Sequence, residues 1–110
     1  MCCAPKKINL FQTNSGRFPF VEWIEAQEVK TQIVVDRFLK RVAVGGAKKS
    51  IKSLGDGVFE IKIPYKSGLR IYFAEDGDRI IILLIGGDKR TQKRDIMKAK
   101  KYWSENGKSK

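Results

Sequence analysis

Arg70, Lys89, Glu60 and Tyr72 are the side chains of this sequence best suited to catalysis, and the chemistry they could do together is metal-free chemistry on a phosphate. Lys and Arg can hold an RNA phosphate and stabilise the charge that develops on it when the neighbouring 2′-hydroxyl attacks, while Tyr can stack on a base. A guanidinium on the open face of a sheet strand, the place expected for Arg70, makes a rigid bidentate clamp for phosphate; it could equally pair with Glu60. Lys89 and Arg90 precede a helix whose first N–H groups also favour an anion, although the same residues could form a solvated turn. Glu60 could act as general base if burial raised its proton affinity, but the cations around it favour structural ion pairing. Tyr72 could stack on a base or merely cover the sheet. Lys48, Lys49, Lys52 and Lys62, with Arg90, form a candidate RNA-binding set, each lysine taken singly reading first as a solvated side chain.

Other chemistries are excluded by what the chain lacks. It contains no histidine, so neither a Ser-His-Asp or Cys-His site nor a histidine-based ribonuclease can be built. Its two cysteines, Cys2 and Cys3, are adjacent and terminal, which rules out a disulfide framework and a cysteine zinc site. No loop gathers enough Asp and Glu to hold magnesium. Gly86-Gly87 follows a strand, yet neither nucleotide-binding glycine pattern is present. No metal and no cofactor is expected.

Composition points to the same class of partner. Lys and Arg number 23 against 12 Asp and Glu, a formal charge of +11 over 110 residues. So large an excess costs a compact domain self-repulsion, and it suggests nucleic acid or an acidic protein as partner. Hydrophobic residues at 42% and charged ones at 32% describe a globular chain of one domain spanning 1–110, with 1–6 and 104–110 frayed. No stretch approaches the roughly 18 apolar residues of a membrane span, so a reduced, cytoplasmic protein is expected.

The elements that must position these residues follow from periodicity. Ile8 to Gln12 alternates as a short strand and ends at the breaker cluster Thr13 to Gly16. From Pro19, the residues Phe20, Trp23 and Ile24 mark a short amphipathic helix with Glu22 and Glu25 facing solvent. A second helix spans Val29 to Val44, with Ile33, Val34, Phe38 and Val42 as its apolar stripe and Gly45-Gly46 as its stop. The two are expected to form a hairpin. Ala47 to Gly57 reads as an exposed basic loop. Phe59, Ile61 and Ile63 then alternate along one strand and Leu69, Ile71 and Phe73 along the next, with Pro64 to Gly68 as the turn. Their polar faces would display Glu60, Lys62, Arg70 and Tyr72 together.

After the Asp76-Gly77 turn, Ile80 to Ile85 is continuously apolar, as in a central strand covered on both faces. Thr91 is the expected N-cap of a last helix reaching about Trp103, whose inner stripe is Ile96, Ala99 and Trp103. Trp23, Phe38 and Trp103 fit these stripes as core residues. The order strand, two helices, three strands, helix gives an α+β fold.

The run D-G-V-F-E-I-K-I-P-Y-K-S-G-L-R-I-Y-F over 56–73, followed by L-L-I-G-G-D-K-R-T-Q-K-R-D-I-x-x-A over 83–99, resembles the RelE/ParE superfamily of type II toxins, in its HigB-like "addiction module killer protein" branch. The resemblance extends over nearly the whole chain from Phe18. It implies a single domain with a small, curved, mostly antiparallel sheet packed by an N-terminal helical hairpin and a C-terminal helix. It also implies neutralisation by a cognate antitoxin, a helix-turn-helix protein whose acidic arm or helix would cover the basic face. In RelE- and HigB-like members the target is mRNA on the ribosome, which is cleaved to inhibit translation; ParE-like members instead inhibit DNA gyrase without catalysis. By resemblance the functional positions are Arg70 and Lys89, with Lys52 and Arg90 nearby. Some HigB proteins use histidines and RelE a C-terminal tyrosine, whereas this chain has no histidine and only Tyr102 near its end. A ribosome-associated mRNA endonuclease is therefore the leading expectation, and a gyrase inhibitor or a toxin-like partner-binding module without catalysis are the alternatives.

Overall fold

The computed structural model describes residues 6–77 and 80–107. Five strands, β1 (Lys7–Leu10), β2 (Ile51–Gly55), β3 (Val58–Ile63), β4 (Leu69–Asp76) and β5 (Ile80–Asp88), form one sheet in the order β1-β5-β4-β3-β2. The pairings β2–β3, β3–β4 and β4–β5 are antiparallel, and only β1 runs parallel to β5. Helices α1 (Pro19–Glu25) and α2 (Val29–Ala43) are joined by three residues and share a cluster on one face with Ile61, Ile71, Phe73 and Leu83. Helix α3 (Gln92–Gly107) covers the other face through Ala99, which lies among Phe11, Val58, Tyr72 and Leu84. This is the expected α+β architecture.

The apolar run of β5 has the reason expected for it, because β5 lies between β1 and β4 with helices on both sides. Its register slips between Tyr72 and Phe73 of β4, which pair with Ile85 and Leu83. The extra residue, Leu84, places itself and Ile85 on the α3 side, so the next two positions alternate to the α1 side and back. There stand Gly86 and Gly87. A Cβ at Gly86 would lie 2.2 Å from the Trp23 ring, and one at Gly87 would lie 1.9 Å from Asp95 Oδ2. The diglycine is therefore the point where α1 and α3 press closest on opposite faces of the sheet.

Several sequence expectations are corrected. The segment read as an exposed loop contains a 3₁₀ turn, Lys48–Ser50, and the edge strand β2. An edge strand needs little apolar alternation, and Lys52 and Ser53 on it are exposed. In α2 the inward stripe is Thr31, Val35, Leu39 and Val42, while Ile33 is 47% exposed. Apolar residues lie on two sides of this helix, and periodicity alone did not choose between them. The Lys6 N–H donates to the Ala43 carbonyl at 2.7 Å, and its Nζ is 2.9 Å from Glu75. At the other end α3 continues past Ser104 to Gly107. Cys2 and Cys3 lie outside the described residues.

Candidate functional site

Residues paired across a sheet share a face, and the register assembles two rows on the α3 side. One row runs Lys52, Glu60, Tyr72, Ile85 across β2 to β5; the next runs Lys62, Arg70, Gly87. Four of the residues singled out from sequence, Glu60, Lys62, Arg70 and Tyr72, are thus brought together, and Lys52 joins them. The face is not open, however. Helix α3 lies over β4 and β5, leaving Glu60, Arg70 and Tyr72 at 5%, 6% and 0% exposure, while Lys52 and Lys62 remain in solvent. Alternation along β3 and β4 gave the face correctly. It carried no information about where the last helix would lie.

Beneath α3 these groups form a buried polar cluster. Gln92, the first residue of α3, donates from Nε2 to Glu60 Oε2 at 2.9 Å. Arg70 Nε lies 3.8 Å from that same oxygen, an ion pair without a hydrogen bond. On its other side Arg70 donates from Nη1 to the Gly68 carbonyl at 3.2 Å. Gly68 has φ +91, a backbone conformation that suits glycine. Tyr72 presents no ring face for a base to stack on. Its hydroxyl makes no hydrogen bond of ordinary geometry, and burial, with Glu60 close by, pushes its ionisation well above the usual tyrosine range. It stays protonated and is no base.

The turn before α3 also differs from expectation. It carries a cap of its own, while α3 begins directly after Thr91 as expected: Asp88 Oδ1 accepts from the N–H groups of Arg90 at 2.9 Å and Thr91 at 3.3 Å. The Asp88 N–H in turn donates to Thr91 Oγ1, completing a capping box. Donors expected to receive an external anion are thus occupied by the chain's own carboxylate. Arg90 Nη2 is 3.0 Å from Asp88 Oδ2, and this side-chain hydrogen bond holds the Asp88 carboxyl below its ordinary value. Lys89 is exposed and takes part in no ion pair among the described residues.

Residues 22–103 match the family described as Phage derived protein Gp49-like (DUF891). The chain belongs to this family. It is also 35% identical over 82 residues to an uncharacterized protein of Haemophilus influenzae, an alignment spanning 74% of this chain and 82% of that one. The Gp49-like family is associated with addiction-module killer toxins of the RelE/HigB type, which suggests a toxin with a cognate antitoxin as partner.

In this Gp49-like chain the remaining sequence candidates lie elsewhere. Lys48 and Lys49 sit on the turn before β2, where Lys48 borders a hollow of about 130 Å³ with Lys6, Val42 and Glu75, on the α2 side of the sheet. They are not assembled with Arg70. Missed altogether was a cleft of about 380 Å³ between α1 and the opposite flank of α3, lined by Arg17, Trp23, Gly86, Arg94, Lys98 and Tyr102 among others. The four-residue spacing of Arg94 and Lys98 was its only sequence signal. Among the described residues no group of His, Cys, Asp and Glu could hold a metal ion, and no helix is long and apolar enough to cross a membrane.

Proposed function

We propose that this chain is the toxin of a type II toxin–antitoxin pair, in the HigB-like branch, and that it acts in the cytoplasm as a metal-independent endonuclease on mRNA at the ribosome. One observation carries the reading: Arg70 is held inside the fold directly across from the exposed Lys62 and one row from the exposed Lys52, yet among the described residues its guanidinium makes a single hydrogen bond, to Gly68. A forked donor set so little used is suited to a phosphate. In this scheme Arg70 and Lys89 hold the scissile phosphate and stabilise its charge, while Lys52 and Lys62 track the flanking backbone. Glu60 sets the electrostatics of Arg70 rather than acting as base, and Tyr72 belongs to the floor. An acidic segment of the cognate antitoxin, a helix-turn-helix protein, would neutralise the same basic surface.

The test is to induce the wild-type protein and an Arg70→Lys, Lys89→Ala variant in cells and map new RNA 5′ ends. Lysine keeps the buried charge but loses the fork, so folding survives while the clamp does not. New ends within translated codons, lost in the variant, are expected. Growth arrest without new ends, accompanied by loss of DNA supercoiling, would replace this reading with gyrase inhibition.

A further inference from the structure

Among the described residues two buried donors, Arg70 Nε and Tyr72 Oη, flank the Glu60 carboxylate without a hydrogen bond of ordinary geometry, while Glu60 Oε2 accepts from the neutral amide of Gln92. The arrangement runs against the usual preference, because a guanidinium–carboxylate hydrogen bond is stronger than an amide–carboxylate one. A buried donor without a partner also costs free energy that most folds avoid. Both residues lie on strands paired on both sides, but Arg70 is tethered through Nη1 to the Gly68 backbone, so the side chain free to turn is that of Glu60. A small side-chain rotation would close the present 3.8 Å to an ordinary charge-assisted contact. What opposes it is Gln92, whose place is fixed by the capped turn before α3.

We infer that Gln92 is a positioning residue that holds Glu60 off Arg70, keeping the guanidinium uncommitted so that a phosphate of the RNA strand can take it. This rests on the reading of Arg70 as the phosphate clamp. Without Gln92, Glu60 becomes an internal competitor: it swings onto Arg70 Nε and neutralises the guanidinium charge that the phosphate needs. Gln92 touches no substrate in this scheme and acts only through Glu60. Removing the carboxylate charge should therefore undo the damage of removing Gln92, an outcome that a merely structural anchor for α3 would not give.

The experiment compares the wild type, Gln92→Ala and the double variant Gln92→Ala, Glu60→Gln, with the near-isosteric Gln92→Met in place of Gln92→Ala should that variant fail to fold. Two readouts are taken: the NMR resonance of the Arg70 Nε–H group in the free protein, and inhibition of cell-free translation. In the single variant the resonance should move downfield as the charge-assisted bond forms, and inhibition should weaken by roughly 10- to 100-fold, the range for losing a hydrogen bond to a charged group. Both should return towards wild type in the double variant. An unmoved resonance in the single variant, or an activity loss that Glu60→Gln does not relieve, overturns the inference. If the wild type does not inhibit translation, the functional reading fails while the resonance still decides whether Gln92 restrains Glu60.

Discussion

The two flanks of α3 carry similar charge and handle it differently. On the α1 flank the acids are already engaged: Glu22 is held by two hydrogen bonds from Arg17 at 2.9 and 2.6 Å, Asp88 by Arg90, and Asp95 by Thr91 at 2.5 Å. On the β3 flank Arg70 and Tyr72 are buried with donors to spare. A basic surface attracts any polyanion over a distance. Buried donors without partners define a place where one phosphate would gain more than it would in water, because the protein has already paid the cost of removing competing solvent. The difference teaches that net charge speaks only to the class of partner, while hydrogen-bond satisfaction is what separates the proposed site from the rest of the basic surface.

The largest expected effect that tests this contrast comes from Arg70→Ala. It leaves Glu60 buried opposite no cation, and breaking a buried pair in this way costs about 3–5 kcal/mol. Urea denaturation would measure it; a loss under about 1 kcal/mol would mean that water reaches the pair and that the two flanks do not differ as described. Next comes Asp88→Ala, which removes the capping contacts and should cost about 0.5–2 kcal/mol near neutral pH. Because the folded state holds the Asp88 carboxyl below its unfolded value, the stabilisation is present above roughly pH 4 and is lost as pH falls through the folded value. The stability gap between wild type and variant should therefore stay level from neutral to mildly acidic pH and shrink below it. A gap that widens on acidification would reverse the sign of the argument. The smallest effect is expected from Arg94→Ala with Lys98→Ala, exposed cations of the α1 flank, which should change stability by less than about 0.5 kcal/mol each. Translation inhibition should persist; its loss would move the working surface to the α1 flank.

How much was legible in the sequence can be judged from particular residues. The period of two along β3 and β4 put Glu60, Lys62, Arg70 and Tyr72 on one face, and the cross-strand register confirms that placement. The same pattern was silent on coverage, because whether α3 lies over β4 or beside it depends on long-range packing of Ala99 and Trp103. Asp88 was overlooked as a cap because Thr91 is an equally good capping type, and only geometry shows the two acting reciprocally. Strand β2 was lost for a different reason: Ile51 to Gly55 is an edge with one neighbour, held by pairing to β3 rather than by an apolar pattern of its own. In α2, Val35 and Leu39 were outranked by Ile33, whose hydrophobicity is no guide to which side of a helix meets the sheet.

The pinch at Gly86 and Gly87 sets the molecule's frame. With Trp23 seated over one glycine and Asp95 over the next, a slip of β5 by one residue would drive Ile85 or Asp88 into a space that admits no side chain. Neither helical layer could then close. The diglycine works as a keyway, accepting β5 in a single alignment, and the same alignment sets Arg70 across from Gly87 under the start of α3. A chain that misaligns its sheet during folding would be left with two open faces, and Glu60, Lys62, Arg70 and Tyr72 would not come together.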